Sequence, residues 1–203
     1  MSQLDPVFGR DRAPARTWRT IDLVVLVVVS LVFGVVYVAW GAPYEFAAAF
    51  GGTPTQEAMN AVWFIAGLLG PYLIRRPGAA IASETLASLS EMLVGAPWGP
   101  SLVIYGVLQS IGAEAVFALG GYRRWGLITM VVAGVAAGLA SLPYSWWDYG
   151  YLSLDPSLLV IMLVTRTVGV AIAGALAKFL GDALAATGVL NGVAIGRDRM
   201  REV

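Results

Sequence analysis

Neither cysteine nor histidine occurs anywhere in this chain of 203 residues. Without cysteine there are no disulfides, thiolate metal sites or cysteine nucleophiles. Without histidine there are no Ser-His triads, imidazole proton relays or histidine-bound metals. Charge is also scarce: 13% of residues are charged, against about 25% in a typical soluble domain. The formal net charge is zero, so nothing attracts a phosphate backbone and no nucleic-acid partner is expected. No G-x-x-x-x-G-K-[ST] motif occurs, so any ATP hydrolysis linked to this chain belongs to another. No internal repeat or low-complexity segment is visible. No catalytic residue, metal or cofactor is expected, and the chain reads as a non-enzyme.

What the chain has instead is apolar length. Hydrophobic residues make up 58% of it and its mean hydropathy is +0.75, more than one water-facing core can use. A helix needs about 20 apolar residues to cross the hydrocarbon core. That ruler predicts an all-α integral membrane protein with six transmembrane helices, over residues 21–42, 55–74, 78–94, 99–121, 125–146 and 156–178. The connections carry breakers: Gly51, Gly52 and Pro54; Pro77 and Gly78; Pro97; and Pro156 after Asp155. Residues 1–20, with Pro6, Pro14 and four arginines, read as a cytoplasmic tail rather than a signal peptide. Residues 21–178 form the six-helix domain. Residues 179–203 either prolong the last span or lie at the membrane surface.

Basic residues set the expected orientation. Arg10, Arg12, Arg16 and Arg19 precede the first span, Arg75 and Arg76 follow the second, Arg123 and Arg124 the fourth, and Arg197, Arg199 and Arg201 close the chain. The loops after spans one, three and five carry no Lys or Arg. The positive-inside rule puts both termini in the cytoplasm, in a multi-pass protein of the bacterial cytoplasmic membrane in contact with lipid.

Charges at membrane depth are costly and usually functional. Glu84, Glu91, Glu114 and Arg166 fall there. Spacing assigns faces. Glu84, Ser88 and Glu91 share a stripe, as do Ser101, Tyr105, Gln109 and Gly112; Asn60, Trp63 and Gly67; and Phe33, Tyr37 and Trp40. These converge on the outer half of the membrane as an aromatic-lined pocket open to the exterior. Three carboxylates face one arginine. If Arg166 pairs with Glu114, the other two either carry protons or await a cation, and aromatic faces suit an organic cation. Glu84, Glu91, Gln109, Trp63, Tyr37, Trp40, Tyr105, Asn60 and Ser88 are thus the candidate binding residues. Residues 43–54, with Tyr44 and Phe46, form a candidate lid. Trp98 and Trp147 read equally as caps or as an interfacial belt. The small residues Ser30 and Gly34 mark a close-packing face, expected as the coupling interface together with the Arg-rich inner turns.

Residues 70–125 also carry an ordered set of motifs: Pro71-Tyr72 at a helix end, an Arg75-Arg76-Pro77-Gly78-Ala79 turn, Glu84 and Glu91-Met92 on one helix, a Gly95-x-Pro97-Trp98-Gly99 turn, Tyr105-Gly106-x-x-Gln109 leading to Gly112-Ala113-Glu114, and Tyr122-Arg123-Arg124-Trp125. This region, with residues 176–197, resembles the YkoE-type S components of energy-coupling factor (ECF) transporters. The resemblance implies a substrate-capturing subunit that takes thiamin or its hydroxymethylpyrimidine precursor from outside. It also implies as partners a transmembrane coupling subunit and cytoplasmic ATPase subunits. A stand-alone secondary transporter or channel for a small organic cation is the alternative. An intramembrane enzyme and a plain scaffold fit the residues less well.

Overall fold

The structure is a computed structural model and describes residues 17–202. The tail arginines Arg10, Arg12 and Arg16 lie outside the described residues. Every regular element among the described residues is helical: α1 (Thr20–Met59), a 3-10 segment (Asn60–Phe64), α2 (Ile65–Ile74), α3 (Ala79–Val94), α4 (Ser101–Leu119), α5 (Leu127–Asp148), a 3-10 turn (Tyr151–Ser153), α6 (Pro156–Ala186) and α7 (Ala194–Glu202). Among them, four runs are long and apolar enough to cross a membrane: Thr20–Ile74, Ser101–Leu119, Leu127–Asp148 and Pro156–Ala186. The 16 residues of α3 make it shorter than these.

The first helix departs from expectation. Residues 43–54 were expected as an outer loop, yet α1 continues through Pro43 and breaks at Gly52, whose φ of 64° is left-handed. Phe46, Ala47, Ala48, Ala49 and Phe50 explain the continuation, because alanine is the strongest helix former and lipid penalises any unpaired backbone. The chain reverses where glycine permits a positive φ. At the other boundaries, Gly78 and Gly95 flank α3 in left-handed conformations. Asp155 starts α6 by accepting the Ser157 amide at 2.8 Å. The last long helix runs two turns past Lys178, to Ala186.

The interior is packed through small residues. A Cβ on Gly112, Gly134 or Gly174 would collide with the carbonyl of Ala136, Val170 or Met130, so α4, α5 and α6 approach nearly backbone to backbone. The same close approach occurs at the two residues expected in the coupling interface. Ser30 is buried and donates to the Ser83 carbonyl at 2.9 Å. A Cβ on Gly34 would lie 2.9 Å from the Glu91 amide nitrogen. Ser30 and Gly34 therefore hold α1 against α3 inside the chain. The open face of α1 carries Val24, Val28, Leu31, Val32 and Val35.

The two ends of the bundle differ. At one end Arg76 pairs with buried Asp22 at 3.0 Å, Arg75 pairs with Asp198 of α7, and Arg19 donates to the Gly192 carbonyl at 3.2 Å. At the other end Tyr105 bonds Asp148 at 3.0 Å, and the Trp146 indole donates to Glu57 at 3.3 Å.

Gly34→Leu is expected to destabilise the detergent-solubilised protein by at least about 1–3 kcal/mol, because α3 has no room to yield. Val32→Leu, on the open face, is expected to leave the thermal midpoint unchanged. Paired melting curves check the contrast.

Candidate functional site

Three elements build one cavity. The stripe on α3 supplies Ser88 and Glu91, α4 supplies Leu102, Tyr105 and Gln109, and the 3-10 segment supplies Asn60 and Trp63. Tyr44 of α1, Trp98 of the α3–α4 turn and Tyr149 complete its wall. Its free volume is about 40 Å³, well below the roughly 300–1,000 Å³ usual for small-molecule sites, so a ligand enters only as the walls part. Tyr44, Trp63 and Trp98 meet edge to face, with centroids 5.1, 6.5 and 5.8 Å apart. Such rings offer faces on which a flat or cationic group stacks.

The carboxylate of Glu91 is the charged group in this wall. Its Oε1 accepts the Trp63 indole N–H at 2.8 Å. Its Oε2 is buried with no hydrogen-bond partner among the described residues, and so is Oδ1 of Asn60. A buried acceptor left unmade costs about 1–3 kcal/mol, so two in one cavity wall call for a partner from outside the chain, a ligand or a water.

Glu84 sits deeper. Its Oε2 accepts the Gly67 amide at 2.5 Å and the Tyr37 hydroxyl at 3.2 Å, and that hydroxyl accepts the Ala66 amide at 3.0 Å. Glu84 and Gln109 line a crevice beneath the main cavity that is too tight for a water molecule, and Gln109 borders both. Glu84 and Tyr37 thus support the floor, where direct contact had been expected.

Other expected residues fall elsewhere. Trp40 donates to the Met59 carbonyl at 3.0 Å and borders a separate apolar groove between α1 and α6. Trp147 is 66% exposed and touches Tyr144, centroids 5.8 Å apart, outside the cavity lining. Phe46 is exposed against Phe50, away from the cavity. The expected Glu114–Arg166 pair is not formed. Glu114 accepts the Gly78 and Ala80 amides at 2.6 and 3.0 Å and the Tyr122 hydroxyl at 2.7 Å, which satisfies orphan N–H groups at the start of α3. Arg166 instead pairs with Glu57 at 2.7 Å. The sequence does not single out Glu57, because it opens the second expected span, where an acid reads as interfacial. Nor does it single out Asp22, at the start of the first, for the same reason.

Comparison with known proteins agrees with this architecture. The sequence model of the family described as ABC-type cobalt transport system, permease component, matches residues 21–140. A Bacillus subtilis (strain 168) protein named as an HMP/thiamine permease, YkoE, is 39% identical over 184 residues, covering 90% of this chain and 92% of the relative. A crystal structure of an S-component of an ECF transporter superposes with a TM-score of 0.88 at 38% identity, covering 92% of this chain and 95% of the other. The chain belongs to the YkoE-type S components of ECF transporters. It is accordingly a multi-pass membrane protein and a substrate-binding transport subunit. In this S component the aromatic cavity beside Glu91 is the candidate substrate site.

Removing the helix cap with Glu114→Ala is expected to cost about 0.5–2 kcal/mol. Its effect is expected to add to that of Arg166→Gln within about 0.5 kcal/mol, as for independent sites. A double-mutant cycle on thermal stability checks this; strong coupling would restore the pair that the sequence suggested.

Proposed function

We propose that this S component captures thiamin or its hydroxymethylpyrimidine precursor from outside the cell and hands it to an ATP-driven importer. The carrying observation is the pair of unpartnered acceptors, Glu91 Oε2 and Asn60 Oδ1, in a wall of aromatic rings. An exocyclic amine on a flat pyrimidine brings two N–H donors to such a pair. Trp63, Trp98 and Tyr44 stack on the ring, and the Glu91 carboxylate offsets the thiazolium charge of thiamin. Gln109, Ser88 and Tyr105 bond the remaining polar groups. Glu84 and Tyr37 keep Gly67 and Ala66 in place beneath them.

The donor set favours an organic ligand over a bare metal cation. The chain has no histidine or cysteine, and no cluster of three or more metal-binding side chains occurs among the described residues. Cobalt chemistry, named in the family description, finds no matching ligands in this cavity.

Orientation and helix count follow the same reading. Residues 20–51, 53–74, 79–94, 101–119, 127–148 and 156–186 make six crossings. Arg19, Arg75, Arg76, Arg123, Arg124, Arg197 and Arg199 belong to the end where α7 packs, which supports a cytoplasmic placement of that end and of both termini. The cavity then opens outward. A coupling subunit meets the open valine-rich face of α1 and the arginine-rich turns, and partner ATPases supply the energy. The chain itself catalyses nothing.

Titration of purified protein in detergent, read by quenching of its seven tryptophans, tests the proposal. Thiamin or the pyrimidine is expected to bind saturably, while riboflavin and biotin are not. Glu91→Ala is expected to weaken binding by at least about tenfold, the effect of losing one hydrogen bond to a charged group. No saturable binding of either compound to folded protein, or unchanged affinity in Glu91→Ala, would sink it.

A further inference from the structure

One buried ion pair lies outside the cavity but beside the segment that furnishes part of it. Arg166 of α6 is 1% exposed and does not border the cavity. Its guanidinium donates to Glu57 at 2.7 Å, to Ser141 Oγ at 2.8 Å and to the Gly138 carbonyl at 3.2 Å. It also lies 5.6 Å from the Phe64 ring centroid. Glu57 stands three residues before the 3-10 segment and Phe64 is its last residue. Arg166 therefore grips both flanks of that segment and ties them to α5. One turn along α6, Gly169 lets the same region approach closely: a Cβ there would sit 2.6 Å from the Ala58 carbonyl.

The grip matters because of what the segment carries. Asn60 and Trp63 both face the cavity, and Trp63 holds Glu91 Oε1. A 3-10 turn inside a long helical run is the less stable form of the backbone. Relaxing it to α-helix removes about 20° of rotation and about 0.5 Å of rise per residue. Over the three steps from Asn60 to Trp63 the indole turns by about 60° and moves by about 1.5 Å relative to Asn60. The 2.8 Å bond to Glu91 does not survive that displacement.

We infer that Arg166 is a positioning residue for the substrate site: through Glu57 and Phe64 it holds residues 60–64 in the 3-10 form that aims Asn60 and Trp63 at the ligand. This deepens the substrate reading above and rests on it for the identity of the ligand. The alignment of Trp63 with Glu91 is a property of the free protein.

The test uses full-length protein labelled with ¹⁵N at its indole nitrogens, in detergent. Trp63→Phe identifies the Trp63 resonance, and Glu91→Gln gives its position with a weaker acceptor. The double variant Glu57→Gln/Arg166→Gln removes both charges together, so neither is left buried alone. Its Trp63 resonance is expected to leave the wild-type position without ligand, and thiamin or pyrimidine affinity is expected to fall at least about tenfold. If the double variant does not fold, Arg166→Lys takes its place with the same readouts, because lysine keeps the charge but loses the planar fork to Ser141 and Gly138. An unmoved Trp63 resonance in the folded variant, with or without loss of affinity, overturns the inference. If the wild-type protein binds neither compound, the substrate reading falls, and the Trp63 resonance alone still decides the role of Arg166.

Discussion

Water is scarce inside a helix bundle dissolved in lipid, so a buried polar group there must find its partner within the chain. Much of the structure follows from how that demand is met. Glu57 takes Arg166, Asp22 takes Arg76, and Glu114 takes two amides and the Tyr122 hydroxyl. Ser30 and Ser83 return their hydroxyls to backbone carbonyls. Where allocation stops short is informative. Asp22, Glu84 and Glu91 each keep one oxygen without a partner among the described residues, as do Asn60 and Thr85, and Arg75 keeps its Nε so. The open Asp22 oxygen is Oδ1, beside the Oδ2 that pairs with Arg76 at the basic end. Glu91 and Asn60 border a cavity that is both aromatic and polar, and Glu84 belongs to its floor. A site made to receive donors must leave acceptors open, at some expense in stability.

Helix α3 links support and recognition. Glu114 caps its first turn, Ser83 and Glu84 join it to α2, Gly34 lets α1 lie against it, and Glu91 meets the cavity. Its shortness follows from this role: 16 residues reach about 24 Å, less than the hydrocarbon core of about 30 Å, so its far end opens into the turn that carries Trp98. The arginine-rich end is closed differently, by ion pairs and by α7 packed over the α2–α3 turn. Recognition and anchoring thus sit at opposite ends of one bundle.

Much of this was legible in the sequence. The period puts Ser88 and Glu91 on one face of α3, and Tyr105 and Gln109 on one face of α4, and the structure brings both faces to one cavity because those helices are regular. The stripe rule failed where regularity fails or where i+3 and i+4 compete. On α1 the buried line runs Tyr37, Gly41, Tyr44, a four-residue step followed by three, which leaves Trp40 on the flank facing α6. Proline and paired glycines suggested a loop at 43–54, but Pro43 is absorbed by a helix that lipid favours. Pairings across the bundle were beyond reach. Arg166 had several acids to choose from, and only tertiary packing brings Glu57 to it. The 3-10 form of residues 60–64 leaves no mark in composition.

The central claim is that a ligand completes the open acceptors of Glu91 and Asn60. A structure of this S component with thiamin or hydroxymethylpyrimidine bound tests it most directly. The account predicts an amine nitrogen within hydrogen-bond distance of Glu91 Oε2 or Asn60 Oδ1, with the pyrimidine against Trp63 or Trp98. A ligand seated elsewhere, with both acceptors still unpaired, would contradict it.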